Sequence, residues 1–458
     1  MKDFKSIYFV GAGGIGMAAL ERYYLSKGIK VAGYDRTATD LTRALADEGV
    51  EISYEQGADV IPDYCRNAAD TLVVYTAAMP ADDPKLAYFS AGGFTMMKRA
   101  QLLGLITRDS KGICISGTHG KTTTSSLVAH ILNTSTVGCN AFLGGILRNY
   151  DSNLILSETS PYSVIEADEF DRSFHWLSPY IAVVTATDPD HLDIYGTEEA
   201  YLESFAHFTE LIQPGGALIC HTGLKLRPRP ADGVKVFSYS RNDGDFHAEN
   251  IRKGNGDITF DFVAPDTVIR NIRLGVPVDI NIENAVASIA VCHLVGVDSE
   301  SIKTAVASFL GPKRRFEFWL KQPDGPVIID DYAHHPDELK ASIRSVRDLY
   351  PERRLSVIFQ PHLYTRTRDF APEFAEALSL ADQVLLLDIY PARELPIDGV
   401  TSQIILDRIN CPDKAICNKK DLLETIKNYN FDVLLTAGAG DICNYLPEIR
   451  KIVENATK

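Results

Sequence analysis

Residues 112–124 read GICISGTHGKTTT, and the fold turns on whether this is a phosphate-binding loop. The common loop, G-x-x-x-x-G-K-[ST], follows a buried strand and opens a helix. Gly120, Lys121 and Thr122 supply its last three residues, but its first glycine would stand at position 115, which is Ile115. Gly117 comes too late to replace it. The surroundings suit the assignment all the same. Ile113, Cys114 and Ile115 read as a short buried strand, and TTTSSLVAHIL after Lys121 reads as a helix with hydroxyls in its first turn. Unpaired backbone N–H groups and the helix dipole attract an oxyanion there, and Lys121 adds a full positive charge. Thr122 or Thr123 can offer a hydroxyl to Mg²⁺. The stretch predicts a nucleotide site.

Working outward, 458 residues exceed one hydrophobic core, so two or three domains are expected. Apolar content of 45% and charged content of 23% are ordinary for a globular chain. A net charge of −15 argues against a nucleic-acid partner, because phosphate backbones select basic surfaces. No apolar run is long enough to span a bilayer, and MKDFKSIYFV enters a strand at once and does not resemble a signal peptide. Eight scattered cysteines without a C-x-x-C pair predict a reduced, cytoplasmic protein with no structural zinc.

Upstream of the loop, Ser6–Val10, Lys30–Tyr34 and Thr71–Tyr75 read as strands. The first is followed by GAGGIGMAALERYYLSKG, which places G-x-G-x-x-G at Gly11, Gly13 and Gly16, with Asp35 after the second strand. That is the dinucleotide fingerprint: a pyrophosphate on the helix N-terminus and an acid at a ribose. It says "nucleotide diphosphate" more securely than "NAD". Downstream, Val164–Ile165 and Ile181–Thr185 read as strands and Glu198 to Ile212 as a helix with an apolar stripe. Short strands fill 235–276, and helices start near Asn281 and Ser299. From Pro312 onward, strands at Val327–Ile329, Leu355–Phe359, Val384–Leu387 and Val433–Leu435 alternate with helices. The expected fold is α/β in three domains: residues 1–108, Rossmann-like; 109–311, a P-loop ATPase-like parallel sheet with extra small strands; and 312–458, Rossmann-like again.

Four clusters carry potential chemistry, each just beyond a strand, where open α/β sheets bind ligands. VIEADEFDRSF offers Glu166, Asp168, Glu169 and Asp171, and ATDPDHLDIYG offers Asp188, Asp190, His191 and Asp193. Mg²⁺ prefers oxygen, so the acids come before His191 on chemistry alone. DDYAHHP brings Asp330, Asp331, Tyr332, His334 and His335, residues able to orient a substrate or shuttle a proton. QPHLYTRTRDF brings His362, Arg366 and Arg368, whose guanidinium groups suit a carboxylate or phosphate.

Together, FVGAGGIGM, SGTHGKTTT, VIEADEFDRSF, DPDHLDIYG, the Asn281/Asn284 pair, KRRF, DDYAHHP and QPHLYTRTRDF resemble the Mur ligases of bacterial cell-wall synthesis, over the whole chain and in order. The shortened loop G-T-H-G-K-T is that family's form. The resemblance implies that Gly11, Gly13, Gly14, Gly16, Asp35, Thr76 and Arg99 serve a UDP-sugar, with Asp35 by the uridine. It implies an ATP site of Gly117, Thr118, His119, Gly120, Lys121, Thr122, Thr123, Asn281, Asn284, Arg315 and Asp331. Two Mg²⁺ ions are expected, on Thr122 and Glu166 and on His191; this last ligand overrules the preference for acids. Tyr332, His334 and Arg366 would surround an incoming amino acid, and Lys121, Glu166, His191, His334 and Arg366 would carry the catalysis.

The implied substrates are ATP, UDP-N-acetylmuramic acid and L-alanine, joined through an acyl phosphate. The expected protein is a bacterial cytoplasmic monomer or weak homodimer, without nucleic-acid or membrane partners. No lysine lies between Lys121 and Lys225, so the carbamylated lysine of sister ligases is absent, which favours the alanine-adding branch. Three positions depart from the family pattern: Leu363 replaces a common arginine, Ile280 a histidine and Ala186 an asparagine. A two-arginine clamp on alanine is therefore in question, leaving Arg366 alone or with Arg368. The rival readings are a ligase attaching a recovered murein peptide to the same sugar nucleotide, an NAD-linked oxidoreductase and a nucleotide-driven switch.

Overall fold

Parallel strands covered on both faces must be apolar throughout, and SIYFV, KVAGY and TLVVY meet that requirement. In the computed structural model, which describes residues 4–76, 79–80, 82–254, 256–322, 325–392 and 394–456, these runs form the middle of a five-stranded sheet. Its order is Glu51–Ser53, Lys30–Tyr34, Ser6–Val10, Thr71–Tyr75, Thr95–Lys98, parallel throughout. The order reverses between Ser6–Val10 and Thr71–Tyr75, which makes the crevice beyond their carboxyl ends the expected ligand edge. Gly11 and Thr76 stand there.

A seven-stranded sheet follows in the order Lys235–Tyr239, Ala217–His221, Ile181–Val184, Lys111–Ser116, Tyr162–Glu166, Asn140–Leu147, Ser152–Ile155. Lys111–Ser116 is central and feeds the helix Lys121–Thr134. Glu198–Glu210 is the expected helix, with Tyr201, Phe205 and Phe208 buried and Leu202 at its rim. The strands His247–Gly254, Asp257–Val263 and Val268–Arg273 make a three-stranded sheet, as the turn-rich sequence suggested.

A six-stranded sheet runs Glu317–Lys321, Val327–Asp331, Val433–Ala437, Leu355–Phe359, Gln383–Leu386, Asp413–Ile416. Pro336 opens the helix Pro336–Leu349 at its first turn. Two edges differ from an all-parallel reading: Ser152–Ile155 and Glu317–Lys321 pair antiparallel with their neighbours. Each is joined to its partner by a short connection, and a parallel pairing would need a crossover of a dozen residues.

The chain packs as two compact units. One holds Met1–Glu249, Asp261–Ile272 and Ile282–Phe309; the other holds Asn250–Phe260, Arg273–Asn281 and Leu310–Lys458. The five- and seven-stranded sheets both lie in the first. Its core joins Phe9, Leu20 and Leu102 to Phe142, Phe174, Phe205 and Phe208. In the second, Ile328, Ile358, Leu385 and Leu434 pack against Leu422, Leu446 and Ile449. Burying each such side chain contributes about 1.5–3 kcal/mol. Among the described residues, no helix is long and apolar enough to cross a membrane.

Candidate active site

In the first unit the turn after Ser6–Val10 is pinned by main chain, since the N–H groups of Gly11 and Ala12 both donate to Tyr34 O, at 2.8 and 2.9 Å. Gly11 has φ 92°, and a Cβ there would lie 2.5 Å from Thr76 Cγ2, so glycine is required. The Asp35 carboxylate accepts from Gly13 N at 2.7 Å. Asp35 therefore shapes the glycine loop itself, a role that G-x-G-x-x-G spacing did not reveal. Arg99, at the start of the helix Arg99–Arg108, packs on Gly16, where a Cβ would meet Nη1 at 2.6 Å.

The phosphate loop has a second kind of construction. Gly117 and Gly120 take φ of 139° and 81°, and Gly120 caps the helix Lys121–Thr134 in the left-handed region. Thr118 Oγ1 donates to Asp188 O at 2.7 Å and lies 2.9 Å from the Tyr201 hydroxyl. Thr185 Oγ1 donates to Ser116 O at 3.1 Å and His119 O at 2.5 Å. Asn284 braces the loop from the helix Ile280–Leu294: its Oδ1 accepts from Thr124 Oγ1 at 3.3 Å and would lie 2.7 Å from a Cβ on Gly120. Thr123 is half-buried in the first turn.

Thr122 Oγ1 donates to Glu166 Oε1 at 2.9 Å, and Gly144 N donates to Glu166 Oε2 at 3.0 Å. Burial raises the Glu166 carboxyl above its usual range, opposed by Thr122, Lys121 and Gly144. A hydroxyl and a carboxylate side by side are hard oxygen donors and fit Mg²⁺ together with phosphate oxygens. Lys121 Nζ donates to both oxygens of Glu169 at 2.8 Å and to Gly117 O at 2.6 Å. Two residues on, Asp171 pairs with Lys98 at 2.8 Å, and Asp168 lies 3.6 Å from Arg99.

A cavity of about 360 Å³ joins these parts. It is lined by Gly14, Ile15, Gly16, Thr76 and Arg99 on one side and by Gly144, Glu166 and Asp168 on the other. The glycine loop and the metal-suited glutamate thus face one space within one unit.

His191 has φ 52° and caps the short helix Leu192–Tyr195. It lies 3.7 Å from Asp190 and meets the Phe170 ring edge-on at 5.2 Å. The Asp193 side chain lies outside the described residues. Among the described residues, no three His, Cys, Asp or Glu side chains form a group able to hold a metal ion.

In the second unit Asn281 Nδ2 donates to Val276 O at 3.1 Å. Asp331 accepts from Ser342 Oγ, and burial raises its carboxyl against the pull of Ser342 and Arg315. Asp330 is fully buried and pushed up to about 6 by that burial, with Thr436 and Arg314 acting against it. The guanidinium of Arg315 stands 6.0 Å from the Tyr332 ring centre. His334 Nδ1 lies 3.0 Å from Tyr332 O and 3.3 Å from Glu338, and its ring stands 6.1 Å from that of His362. His362 stacks on Tyr390 and approaches Arg366 Nη1 at 3.4 Å. Burial lowers both imidazoles, so they are neutral at neutral pH. Arg368 is exposed and tied to Asp369 at 2.7 Å, which removes it from the cluster. Leu363 is half-buried at φ 70° and begins the helix Tyr364–Asp369.

Comparison with known proteins covers all of this framework. The model of the Mur ligase family, catalytic domain matches residues 6–111, that of the Mur ligase middle domain residues 115–292, and that of the Mur ligase, glutamate ligase domain residues 314–440. The chain belongs to the Mur ligase family. This Mur ligase is 58% identical over 450 residues to the UDP-N-acetylmuramate–L-alanine ligase of Phocaeicola vulgatus, covering 98% of each chain. The crystal structure of UDP-N-acetylmuramate-alanine ligase from Thermotoga maritima superposes with a TM-score of 0.79 at 27% identity over 99% of each chain. A murein peptide ligase from Psychrobacter arcticus shares the fold at TM-score 0.62 and 20% identity, covering 98% of this chain and 99% of its own.

Proposed function

We propose that this Mur ligase joins L-alanine to the carboxylate of UDP-N-acetylmuramic acid at the expense of ATP, a step of peptidoglycan precursor synthesis. The observation that carries the reading is the shared cavity. It brings the glycine loop and Arg99 to Glu166 and Asp168 at the edge of the phosphate loop. A sugar nucleotide held by its diphosphate on Gly11–Gly16 would extend its free carboxylate toward the γ-phosphate of ATP on the phosphate loop.

The chemistry follows from charge. A carboxylate oxygen attacks the γ-phosphorus, ADP leaves, and an acyl phosphate remains; the alanine amine then attacks its carbonyl and phosphate departs. Attacker and triphosphate are both anionic, so cations must offset their repulsion. Lys121 and the N–H groups of the helix start supply part of that charge. Thr122 and Glu166 would hold a Mg²⁺ ion, which would supply more, with His191 as our candidate ligand for a second ion. In the second unit Arg366, which carries no ion pair among the described residues, suits the alanine carboxylate. The neutral imidazoles of His334 and His362 are able to accept the proton that the amine must lose.

The test is phosphate release from ATP with Mg²⁺. Release that requires both UDP-N-acetylmuramic acid and L-alanine, with one UDP-muramoyl-alanine per phosphate, supports the reading. Stimulation by a murein tripeptide and not by alanine would replace it with the peptide ligase. Release indifferent to both would leave a nucleotide switch.

A further inference from the structure

Lys121 has three N–H donors and all three are used: Gly117 O takes one and the two oxygens of Glu169 take the others. Glu169 is 1% exposed, and among the described residues the lysine is its only side-chain partner. Burial pushes its carboxyl upward while Lys121 opposes that shift, so the pair depends on both members. The backbone of Glu169 is held as firmly, since its carbonyl accepts from the buried Tyr195 hydroxyl at 2.5 Å and from Arg172 N at 3.0 Å. Asp171 and Arg172 follow at φ 51° and 53°, a conformation that strains side-chain-bearing residues and persists only where the surroundings hold it. The turn is built to present this carboxylate to this lysine.

A phosphate oxygen can therefore receive a bond from Lys121 only by taking one that the protein already holds. A carboxylate with two oxygens on one ammonium has the charge and bite of a phosphate edge. We propose that Glu169 is a positioning residue acting through Lys121. It is an internal counterpart of phosphate that keeps the ammonium aimed into the loop, gives up one bond when the nucleotide arrives, and takes it back as ADP leaves. The exchange limits how tightly ADP is held and so speeds its release. This rests on the nucleotide site proposed above.

The experiment is calorimetric titration of the full chain with MgADP, beside steady-state phosphate release. Binding of MgADP by the unaltered protein tests the nucleotide site, and its absence would overturn that reading before any variant is compared. In Glu169→Gln one of the two acceptor oxygens becomes an NH2 donor and the charge is lost, so Lys121 regains a donor. ADP is expected to bind about tenfold tighter while kcat falls through slower release. Glu169→Asp keeps the charge, and with it the fold, but falls one methylene short; about threefold tighter binding is expected. Combined with Lys121→Met, Glu169→Gln should leave ADP affinity where Lys121→Met alone puts it. A carboxylate that merely supports the loop gives the opposite sign. ADP binding unchanged or weakened in the glutamine or the aspartate variant would overturn the proposal, and so would a gain in affinity that survives in the Lys121→Met background.

Discussion

The glycine loop at residues 11–16 and the phosphate loop at 117–122 both carry the end of a central parallel strand into a helix, and both do so through left-handed glycines. They differ in what surrounds the backbone. The glycine loop is shaped by main chain and by one acid, Asp35, that takes the Gly13 N–H. Arg99, the cation packed on Gly16, comes from another helix. The phosphate loop carries its own cation and is ringed by two buried or half-buried glutamates. One turn suits a phosphate that is held and returned unchanged. The other suits a phosphate that reacts, where charge must shift between partners during the step.

The sharpest break is at Lys121. Lys121→Ala should lower phosphate release roughly a thousandfold, as should Glu166→Ala, while calorimetric affinity for UDP-N-acetylmuramic acid stays within about threefold of the unaltered protein. Loss of sugar-nucleotide binding in both variants would abolish the division of labour. Next come the glycines, compared as a pair. At Gly117, with φ 139°, an added Cβ would meet Thr185 Oγ1 at 2.1 Å and Ala186 N at 2.7 Å. Gly117→Ala should therefore weaken ADP binding about a hundredfold and leave the sugar nucleotide alone. At Gly13 the Cβ would meet side chains alone, the carboxylate of Asp35 at 2.8 Å and Thr42 Cγ2 at 3.0 Å. Gly13→Ala should cost the sugar nucleotide about tenfold and ADP nothing. Equal effects on both ligands in either variant would mean that the loops are not separate sites.

The smallest effect concerns the helices behind the loops. The helix Ile15–Ser26 buries Glu21 completely, with neither carboxylate oxygen hydrogen-bonded, whereas Lys121–Thr134 has no acid at all. Burial raises the Glu21 carboxyl well above the ordinary 4.5. The folded protein then binds a proton that the unfolded chain has released. The corresponding stability is full below pH 4.5 and is lost as pH rises through the higher folded value. Glu21→Gln should remove that slope and gain about 1–3 kcal/mol at neutral pH, read as a higher melting temperature. A melting curve with unchanged pH dependence would place the titration elsewhere.

Much of this arrangement is legible in the sequence. Apolar runs of five residues between glycine-rich turns announce parallel strands, and the run GTHGKTTT announces a helix start with a cation. Less legible are the partners that tertiary packing assigns. Glu166, Asp168, Glu169 and Asp171 look alike as four acids in six positions. Only the turn, with two left-handed residues, sends them in turn to Thr122, Arg99, Lys121 and Lys98. The alternation was visible, its addresses were not. The resemblance set His334 and Arg366 around one substrate, but that His362 joins them depends on strands Val327–Asp331 and Leu355–Phe359 flanking Val433–Ala437. The antiparallel edge strands SNLI and EFWLK escaped because runs of four and five residues that mix polar with apolar side chains carry too little pattern to read as strands.

The brace on the phosphate loop has a consequence for how the protein is made. Thr124 and Asn284 are 160 positions apart, and Ser288 Oγ adds a bond to Thr124 O at 3.2 Å. On a ribosome the loop emerges early, with its glycines and lysine in place but without the helix that steadies it. That helix follows segment 250–260 and begins within segment 273–281, both of which belong to the other unit. A nascent chain halted before residue 280 would carry every residue of the GTHGKT loop and still lack a finished nucleotide pocket. ATP would then recognise only chains whose synthesis has passed the Ile280–Leu294 helix.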